Sequence, residues 1–320
     1  MSQYKKVVVV TGSTGVIGTA IAKGVAQANF ITPTVSHLIL IVRNTHRGEK
    51  IAAPLRSKSL VVEVISADLS HVPSIVKAGA QICSTYPYVS VLVNNAAVVS
   101  TRREEVDGLE CQFATNVLAY HALAKVLLPA MTSGGRVVHV ASNLAGGLDL
   151  ADLQSRRGDY DARAVYSRTK QAARMLAAEA AMDGRGFKEA GVLVTACHPG
   201  VVTSTLLENL GYHSGIDAAP TAAQTPLRLA LGPAMPSGTY CMHGGFEPRV
   251  VPFRARDCCS DRLPCFRCLP TQGSPRSRSC VHLPRTRTHA QLCGTHARSS
   301  WPNAWWSQKA ASILQSEKGS

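Results

Sequence analysis

The sequence contains no run of 18 consecutive apolar residues, the length from which a membrane-spanning helix is inferred. Its first residues, MSQYKKVVVVTG, also lack the long apolar core and the cleavage site of a secretory signal. These absences predict a cytoplasmic protein without a membrane span. The scattered cysteines at positions 83, 111, 197 and 241 fit a reducing compartment rather than a disulfide framework.

Acidic residues are scarce, with 20 Asp and Glu against 34 Lys and Arg in 320 residues. The imbalance is concentrated at one end, because residues 249–320 hold 12 Lys and Arg but only 3 Asp and Glu. The preceding residues hold 22 and 17, which is close to neutral. The body of the chain therefore gives no reason to expect a nucleic-acid partner.

The basic end of the chain is also poor in apolar residues. Only 11 of its 72 residues are Ile, Leu, Val, Phe or Met, which predicts a tail without stable structure over 249–320 and a folded domain over 1–248. A zinc site built on Cys258, Cys259, Cys265 and Cys268 is an alternative, but only one CxxC is present, so no metal is predicted. Nucleic-acid binding by the tail is a second alternative, which lacks interleaved aromatic residues.

The first 245 residues alternate between β-branched runs and segments with helical spacing. The predicted strands are 5–11, 37–42, 60–66, 89–94, 135–142, 191–199 and 238–242, and the helical segments include 18–28, 110–131, 162–181 and 221–231. The strands are apolar on both faces, as buried parallel strands are. The pattern predicts an α/β protein: a doubly wound parallel sheet with helices on both faces, as in the Rossmann fold.

A glycine-rich turn, TGSTGVIG at residues 11–18, joins the first strand to its helix. Gly12, Gly15 and Gly18 allow a tight turn and a close approach of a ligand, whose phosphates then meet the free N–H groups of the helix. A plain strand-to-helix turn is the alternative. At the end of the second strand, Arg43 occupies the place where an arginine selects the 2′-phosphate of NADP, with Ser13 as a helper. A solvated arginine is the alternative there.

Tyr166 and Lys170 are four residues apart in AVYSRTKQA, so on a helix they share one face. An ammonium group beside a phenol favours the phenolate and lowers the phenol pKa below its usual value of about 10. The pair is therefore a candidate for proton transfer. A half-buried tyrosine packed on a lysine stem is the alternative.

Several further motifs stand in order along residues 4–246. They are ADL (67–69), NNAA (94–97), QFATNVLA (112–119), VVHVAS (137–142), YSRTK (166–170) and HPGVVTS (198–204). With the glycine-rich turn, they resemble the short-chain dehydrogenase/reductase superfamily, and within it the retinol dehydrogenase and carbonyl reductase branch. The middle glycine at 15, the NNAA in place of NNAG, and extra residues between Gly18 and Arg43, predicted to form a loop near residues 30–37, depart from the branch.

The resemblance implies a role for each matching residue. Tyr166 would be the general acid or base, Lys170 would lower its pKa and hold the ribose, and Ser142 would bind the substrate carbonyl. Asn116 would hold a water that links Lys170 to solvent. The implied NADP(H)-binding residues are Gly12, Ser13, Gly15, Ile17, Gly18, Arg43, Asn44, Asp68, Leu69, Asn95, Ala96, Ala97, Tyr166, Lys170, Pro199, Gly200, Val202 and Ser204.

The resemblance also implies a function: an NADP-dependent alcohol dehydrogenase or carbonyl reductase. Residues 203–220 would form a substrate lid, and their leucines favour an apolar carbonyl or alcohol of the retinoid, steroid or lipid class. A homodimer is left open. Two alternatives remain: a nucleotide-sugar epimerase, suggested by the TGxxGxxG spacing, and a catalytically silent NADP-binding regulatory or scaffold protein, suggested by the tail.

Overall fold

The computed structural model describes residues 6–32, 34–182, 186–242 and 249–251. The tail predicted from residue 249 onward, with its cysteine cluster, lies outside these residues apart from 249–251. Among the helices of the described ranges, none combines the length and apolarity that crossing a bilayer requires.

The described residues form ten strands. They are β1 (Lys6–Thr11), β2 (Val35–Val42), β3 (Val61–Ser66), β4 (Val89–Asn94), β5 (Glu105–Val106), β6 (Leu109–Glu110), β7 (Met131–Val140), β8 (Leu193–His198), β9 (Tyr240–Met242) and β10 (Arg249–Val251). Eight of these make one sheet in the order β3-β2-β1-β4-β7-β8-β9-β10, and β5 and β6 pair separately. Neighbouring strands of the large sheet are parallel, except that β10 runs antiparallel to β9.

The strand order reverses at the centre of the sheet. β1 leads outward to β2 and β3 on one side, whereas β4 lies on the other side of β1, with Val8 opposite Val91 and Val10 opposite Val93. The carboxyl ends of β1 and β4 therefore diverge into separate connections and leave a crevice between them. This topological switch point is where doubly wound sheets bind ligands.

Eight α-helices accompany the sheet within the described ranges. They are α1 (Val16–Ile31), α2 (Thr45–Ala52), α3 (Val72–Thr85), α4 (Cys111–Phe113), α5 (Ala119–Leu127), α6 (Ala162–Met182), α7 (Thr205–Asn209) and α8 (Ala219–Leu231), with a π-helical turn, Ala114–Leu118, between α4 and α5. α1 packs on α8, and α3 packs on α5.

The core has a layer on each side of the sheet. Val8 and Val10 belong to a cluster with Ile21 of α1 and Ala223 of α8. Val9, which is equally buried, faces the opposite side because successive strand residues alternate. Burial on both faces explains the almost entirely apolar sequence of β1, and the predicted doubly wound fold is confirmed.

Two details differ from the sequence-based expectation. The extra residues between Gly18 and Arg43 do not form a long loop: α1 continues to Ile31 and β2 begins at Val35. The helix continues because no glycine or proline interrupts residues 25–32. The sheet also includes β10, which begins one residue beyond the domain boundary predicted at 248.

Candidate active site

A cavity of about 740 Å³ opens at the carboxyl ends of the central strands. The glycine-rich turn forms one end of its wall, and the segment around α7 forms another part. It is lined by seventeen of the residues predicted from the sequence: Gly12, Gly15, Ile17, Gly18, Arg43, Asp68, Leu69, Asn95, Ala96, Ala97, Ser142, Tyr166, Lys170, Pro199, Gly200, Val202 and Ser204. The fold thus gathers into one site residues that are up to 192 positions apart.

Three predicted residues are not part of the cavity lining. Ser13 is fully buried and its hydroxyl donates to the carbonyl oxygen of Val10 (2.9 Å), so it faces the strand and not a 2′-phosphate. The Asn44 side chain caps α2 by accepting from the N–H of Arg47 (2.9 Å). Asn116 is fully buried behind the cavity. Local backbone hydrogen bonds hold Ser13 and Asn44 away from the ligand space.

The glycine-rich turn provides the close backbone approach that a dinucleotide needs. Gly12 has a φ of 65°, and a Cβ at this position would lie 2.7 Å from the Cα of Ala96. A Cβ on Gly18 would collide with the carbonyl oxygen of Gly12. α1 then begins after Gly15, which offers no side-chain cap, so the first N–H groups of the helix are left for an external acceptor. The turn therefore fits a pyrophosphate group.

The end of β4 fixes this turn in place. The Asn95 side chain donates to the carbonyl oxygens of Thr11 (3.0 Å) and Gly12 (3.3 Å). In return, the hydroxyl of Thr11 accepts from the N–H groups of Asn95 (2.9 Å) and Ala96 (3.0 Å). These contacts join both sides of the crevice, so the NNAA motif has a structural role in shaping the cavity.

The far end of the cavity carries charges of both signs. Arg43 follows β2, and Arg47 lies on the first turn of α2. Asp68 accepts from both the N–H (2.9 Å) and the hydroxyl (2.7 Å) of Ser70. Burial raises the pKa of Asp68, but the hydrogen bonds from Ser70 and the nearby charge of Arg43 outweigh it and leave this pKa below its usual value. An ionised Asp68 and the guanidinium groups of Arg43 and Arg47 therefore line the same cavity.

Ser142 and Tyr166 meet at the centre of the cavity. Ser142 follows β7, Tyr166 lies in the second turn of α6, and their hydroxyl groups are hydrogen-bonded. The phenol is 7% exposed, and this burial raises the pKa of Tyr166 to about 12. The predicted lowering of this pKa is therefore wrong for the structure, because desolvation outweighs the hydrogen bond from Ser142. Tyr166 is accordingly a protonated hydroxyl donor near pH 7.

Lys170 lies beside the tyrosine, as the helical spacing predicts. Its Nζ is 5.6 Å from the centre of the Tyr166 ring and donates to the carbonyl oxygen of Val140 (2.8 Å). Burial lowers the pKa of Lys170 to about 7. This lowered pKa weakens the positive charge with which Lys170 can stabilise a phenolate at Tyr166.

Asn116 lies behind Tyr166 and Lys170 and connects two segments of the site by hydrogen bonds. Its side chain accepts from the N–H of Val98 (2.8 Å) and donates to the carbonyl oxygen of Val98 (3.0 Å) and to the hydroxyl of Thr169 (3.2 Å). Thr169 in turn donates to the carbonyl oxygen of Tyr166 (2.7 Å). The water-holding role of Asn116 stays a prediction; its amide joins the connection after β4 to the turn of α6 that carries Tyr166.

An apolar lid lies over the catalytic end of the cavity. It consists of residues 204–212, with Leu206, Leu207, Leu210 and Tyr212 lining the cavity. Leu210 packs against Tyr166 and Val99, and Asn209 donates to the carbonyl oxygen of Val99 (2.9 Å). The lid therefore covers the hydroxyl groups of Ser142 and Tyr166 with hydrocarbon side chains.

Other lining residues were not predicted. They are Thr14, Val16, Arg47, Ala67, Ser70, Val98, Cys111, Thr115, Val140, Ala141, Asn143, Leu144, His198 and Val201, whereas Thr205 and Tyr212 belong to the predicted lid. Most are sequence neighbours of a predicted residue, so extending each motif by one or two positions would have included them. Cys111 and Thr115 are separated by four positions at the start of the α4 segment, and this common helical face was the available signal.

Comparisons with known proteins agree with this geometry. Residues 6–214 match the family model described as short chain dehydrogenase. The chain belongs to the short-chain dehydrogenase family. Human retinol dehydrogenase 13 is 30% identical over 227 residues, which are 69% of this chain and 65% of that protein. Mouse polyprenol dehydrogenase is 29% identical over 66% of this chain and 64% of that protein. Within the family, this short-chain dehydrogenase lies close to the retinol dehydrogenase branch, although it spans less than two thirds of these relatives.

Solved structures support the same fold. A short chain dehydrogenase from Burkholderia cenocepacia J2315 in complex with NADP has a TM-score of 0.59 and 19% identity, covering 75% of this chain and 96% of its own. The NADPH-bound carbonyl reductase from chicken fatty liver has a TM-score of 0.57 and 19% identity, covering 78% of this chain and 99% of its own. At this sequence identity, the similarity to these structures is evidence for the fold only.

Proposed function

We propose that this short-chain dehydrogenase is an NADP(H)-dependent oxidoreductase that interconverts an apolar alcohol and its carbonyl compound. The observation that carries the proposal is that Ser142, Tyr166 and Lys170 line the same cavity as the glycine-rich turn and Arg43. A cofactor extended between these two ends would bring its nicotinamide to the two hydroxyl groups.

The chain's own groups account for the proton side of the reaction. NADPH, held by the glycine-rich turn and Arg43, would supply the hydride for the carbonyl carbon. Ser142 donates a hydrogen bond to the carbonyl oxygen, and Tyr166, protonated because burial raises its pKa to about 12, gives that oxygen its proton as negative charge develops. The protonated form of Lys170 stabilises the resulting phenolate of Tyr166. In the alcohol direction the same proton returns to Tyr166.

The substrate class follows from the lining of the catalytic end. Leu144, Leu206, Leu207 and Leu210 offer hydrocarbon surface next to Ser142 and Tyr166. Each buried apolar group on a substrate contributes about 25 cal/mol per Å² removed from water. A retinoid, steroid or lipid aldehyde or ketone would gain most from such contacts.

The proposal is tested by following NADPH oxidation at 340 nm with a panel of aldehydes and ketones. We expect turnover that rises with the apolar size of the substrate, and none with UDP-sugars. Turnover of a UDP-sugar with tightly held NAD(H) would favour an epimerase. NADPH binding without turnover of any panel member would favour a catalytically silent binding protein and contradict the proposal.

The cofactor preference is proposed to depend on Arg43. Replacing Arg43 with Asp should lower kcat/KM for NADPH relative to NADH by roughly 10- to 100-fold, because a charge-assisted contact with the 2′-phosphate is replaced by repulsion. Lys58→Asp makes nearly the same charge change at an exposed position outside the cavity lining and should leave the ratio unchanged. Equal kcat/KM values for the two cofactors in the unmutated protein would overturn this assignment.

We also propose a cytoplasmic location. The four cysteines of the described ranges, Cys83, Cys111, Cys197 and Cys241, are free thiols, which is usual in a reducing compartment. Fractionation of cells that express the full chain, with immunodetection, tests the location. Recovery with membranes would contradict it.

A further inference from the structure

Tyr120 lies on the side of Lys170 that faces the protein interior. It is 1% exposed, and its hydroxyl donates to the carbonyl oxygen of Val140 (3.2 Å), the same oxygen that accepts from Lys170 (2.8 Å). The Lys170 Nζ is 3.5 Å from the Tyr120 hydroxyl oxygen and 5.4 Å from the centre of the Tyr120 ring. Lys170 therefore touches two oxygens and the faces of two aromatic rings.

Tyr120 is itself held firmly. Its ring stacks on His139 at 5.4 Å between centres and an angle of 22°. Asn94 donates to the carbonyl oxygen of Tyr120 (3.2 Å) and approaches the Nδ1 of His139 (3.3 Å). A buried phenol with its ring stacked and its hydroxyl bound has a single orientation, so it can fix the position of a neighbouring flexible chain.

We propose that Tyr120 is a positioning residue for Lys170, holding the ammonium group between its own hydroxyl and the carbonyl of Val140. The inference rests on the proposed function, because Lys170 matters to the reaction only if Tyr166 transfers a proton. Tyr120 is one helical turn beyond Asn116. It makes the direct contact with Lys170 that the sequence-based interpretation assigned to a water held by Asn116.

The other groups that face Lys170 define what Tyr120 contributes. Tyr166 approaches from α6, His139 from β7 and Cys197 from β8. Burial gives His139 a pKa of about 3 and raises that of the Cys197 thiol, so both are neutral near pH 7. With no ionised partner among these residues, the charged form of Lys170 depends on the oxygens of Tyr120 and Val140. Removing the hydroxyl of Tyr120 should therefore lower the pKa of Lys170 further.

The test measures the protonation of Lys170 directly in the full chain. The unmutated protein, Tyr120→Phe and Tyr86→Phe are labelled briefly with acetic anhydride at pH values from 5.5 to 9.5, and the Lys170 peptide is quantified by mass spectrometry. We expect the labelling midpoint to fall by about half a pH unit or more in Tyr120→Phe. Tyr86→Phe also removes a hydrogen-bonded phenol, one that faces Glu63 outside the cavity lining, and should leave the midpoint unchanged.

Turnover provides a second measurement. In Tyr120→Phe we expect kcat to fall roughly 3- to 10-fold, with its alkaline limb moved to lower pH, while Tyr86→Phe keeps the original profile. Thermal melting by circular dichroism checks each fold, and Tyr120→Met, which lacks the ring and the hydroxyl, should shift the midpoint in the same direction. An unchanged midpoint in folded Tyr120→Phe would overturn the inference. A shifted midpoint in a protein without reductase activity would instead reject the proposed function and retain the contact.

Discussion

Replacement of Tyr166 by phenylalanine should lower kcat by about 10²- to 10⁴-fold, the usual contribution of a general acid. The phenol is the hydroxyl that hydrogen-bonds Ser142 in the cavity, and burial keeps it protonated, so its removal takes away the proposed proton donor. The ring would still pack against Val99 and Leu210. NADPH binding, followed by fluorescence, should therefore stay within a few-fold of the original.

Tyr86→Phe is the matched control, since it removes a buried phenol that is not part of the cavity lining. It should keep nearly all of the turnover. A Tyr166→Phe protein that binds NADPH and retains most of its kcat would show that the proton comes from another group and would remove the central assignment of the site.

Acid should destabilise the fold well before its carboxylates are protonated. His139 is 2% exposed, and burial lowers its pKa to about 3. The unfolded chain binds this proton near pH 6.5 and the folded chain does not, so stability is lost as the pH falls below 6.5. Each pH unit in that range costs about 1.4 kcal/mol, which amounts to about 2 kcal/mol at pH 5.0.

Urea unfolding at pH 7.5, 6.5, 5.5 and 5.0 measures this loss. His139→Gln removes the titrating group and should flatten the dependence between pH 6.5 and 5.0, even if the variant is less stable at every pH. His46→Gln removes an exposed histidine from α2 and should leave the slope as it was. Equal slopes for the original protein and His139→Gln would rule out His139 as the cause.

The sequence was sufficient for the architecture because each part of it has a local signal. The valines of β1 and β4 mark strands buried on both faces, and the glycines of the turn at 11–18 mark a backbone that must approach a ligand. The pairing of Tyr166 with Lys170 follows from helical spacing alone. These features depend on neighbours within a few residues, which a single sequence displays.

Features that depend on burial and on distant contacts were not predictable in this way. Ser13 was expected to face a phosphate, but its hydroxyl turns toward Val10. The direction of the Tyr166 pKa shift depends on desolvation by elements from across the chain. The sequence-based prediction that this pKa is lowered was therefore wrong. Tyr120 looks like an ordinary core residue in the sequence, because the carbonyl of Val140 that it shares with Lys170 comes from strand β7, 20 residues further along the chain.

The connection after β4 has a mechanical consequence. Two adjacent residues of this connection are held by different parts of the site. Val98 is hydrogen-bonded to Asn116, which reaches Tyr166 through Thr169, and Val99 accepts a hydrogen bond from Asn209 of the lid. A substrate bulky enough to displace the lid would strain the same two residues that are linked to Tyr166, the proposed proton donor. Substrate size should then affect the rate of the chemical step as well as the affinity. Large and small substrates should therefore differ in kcat as well as in KM.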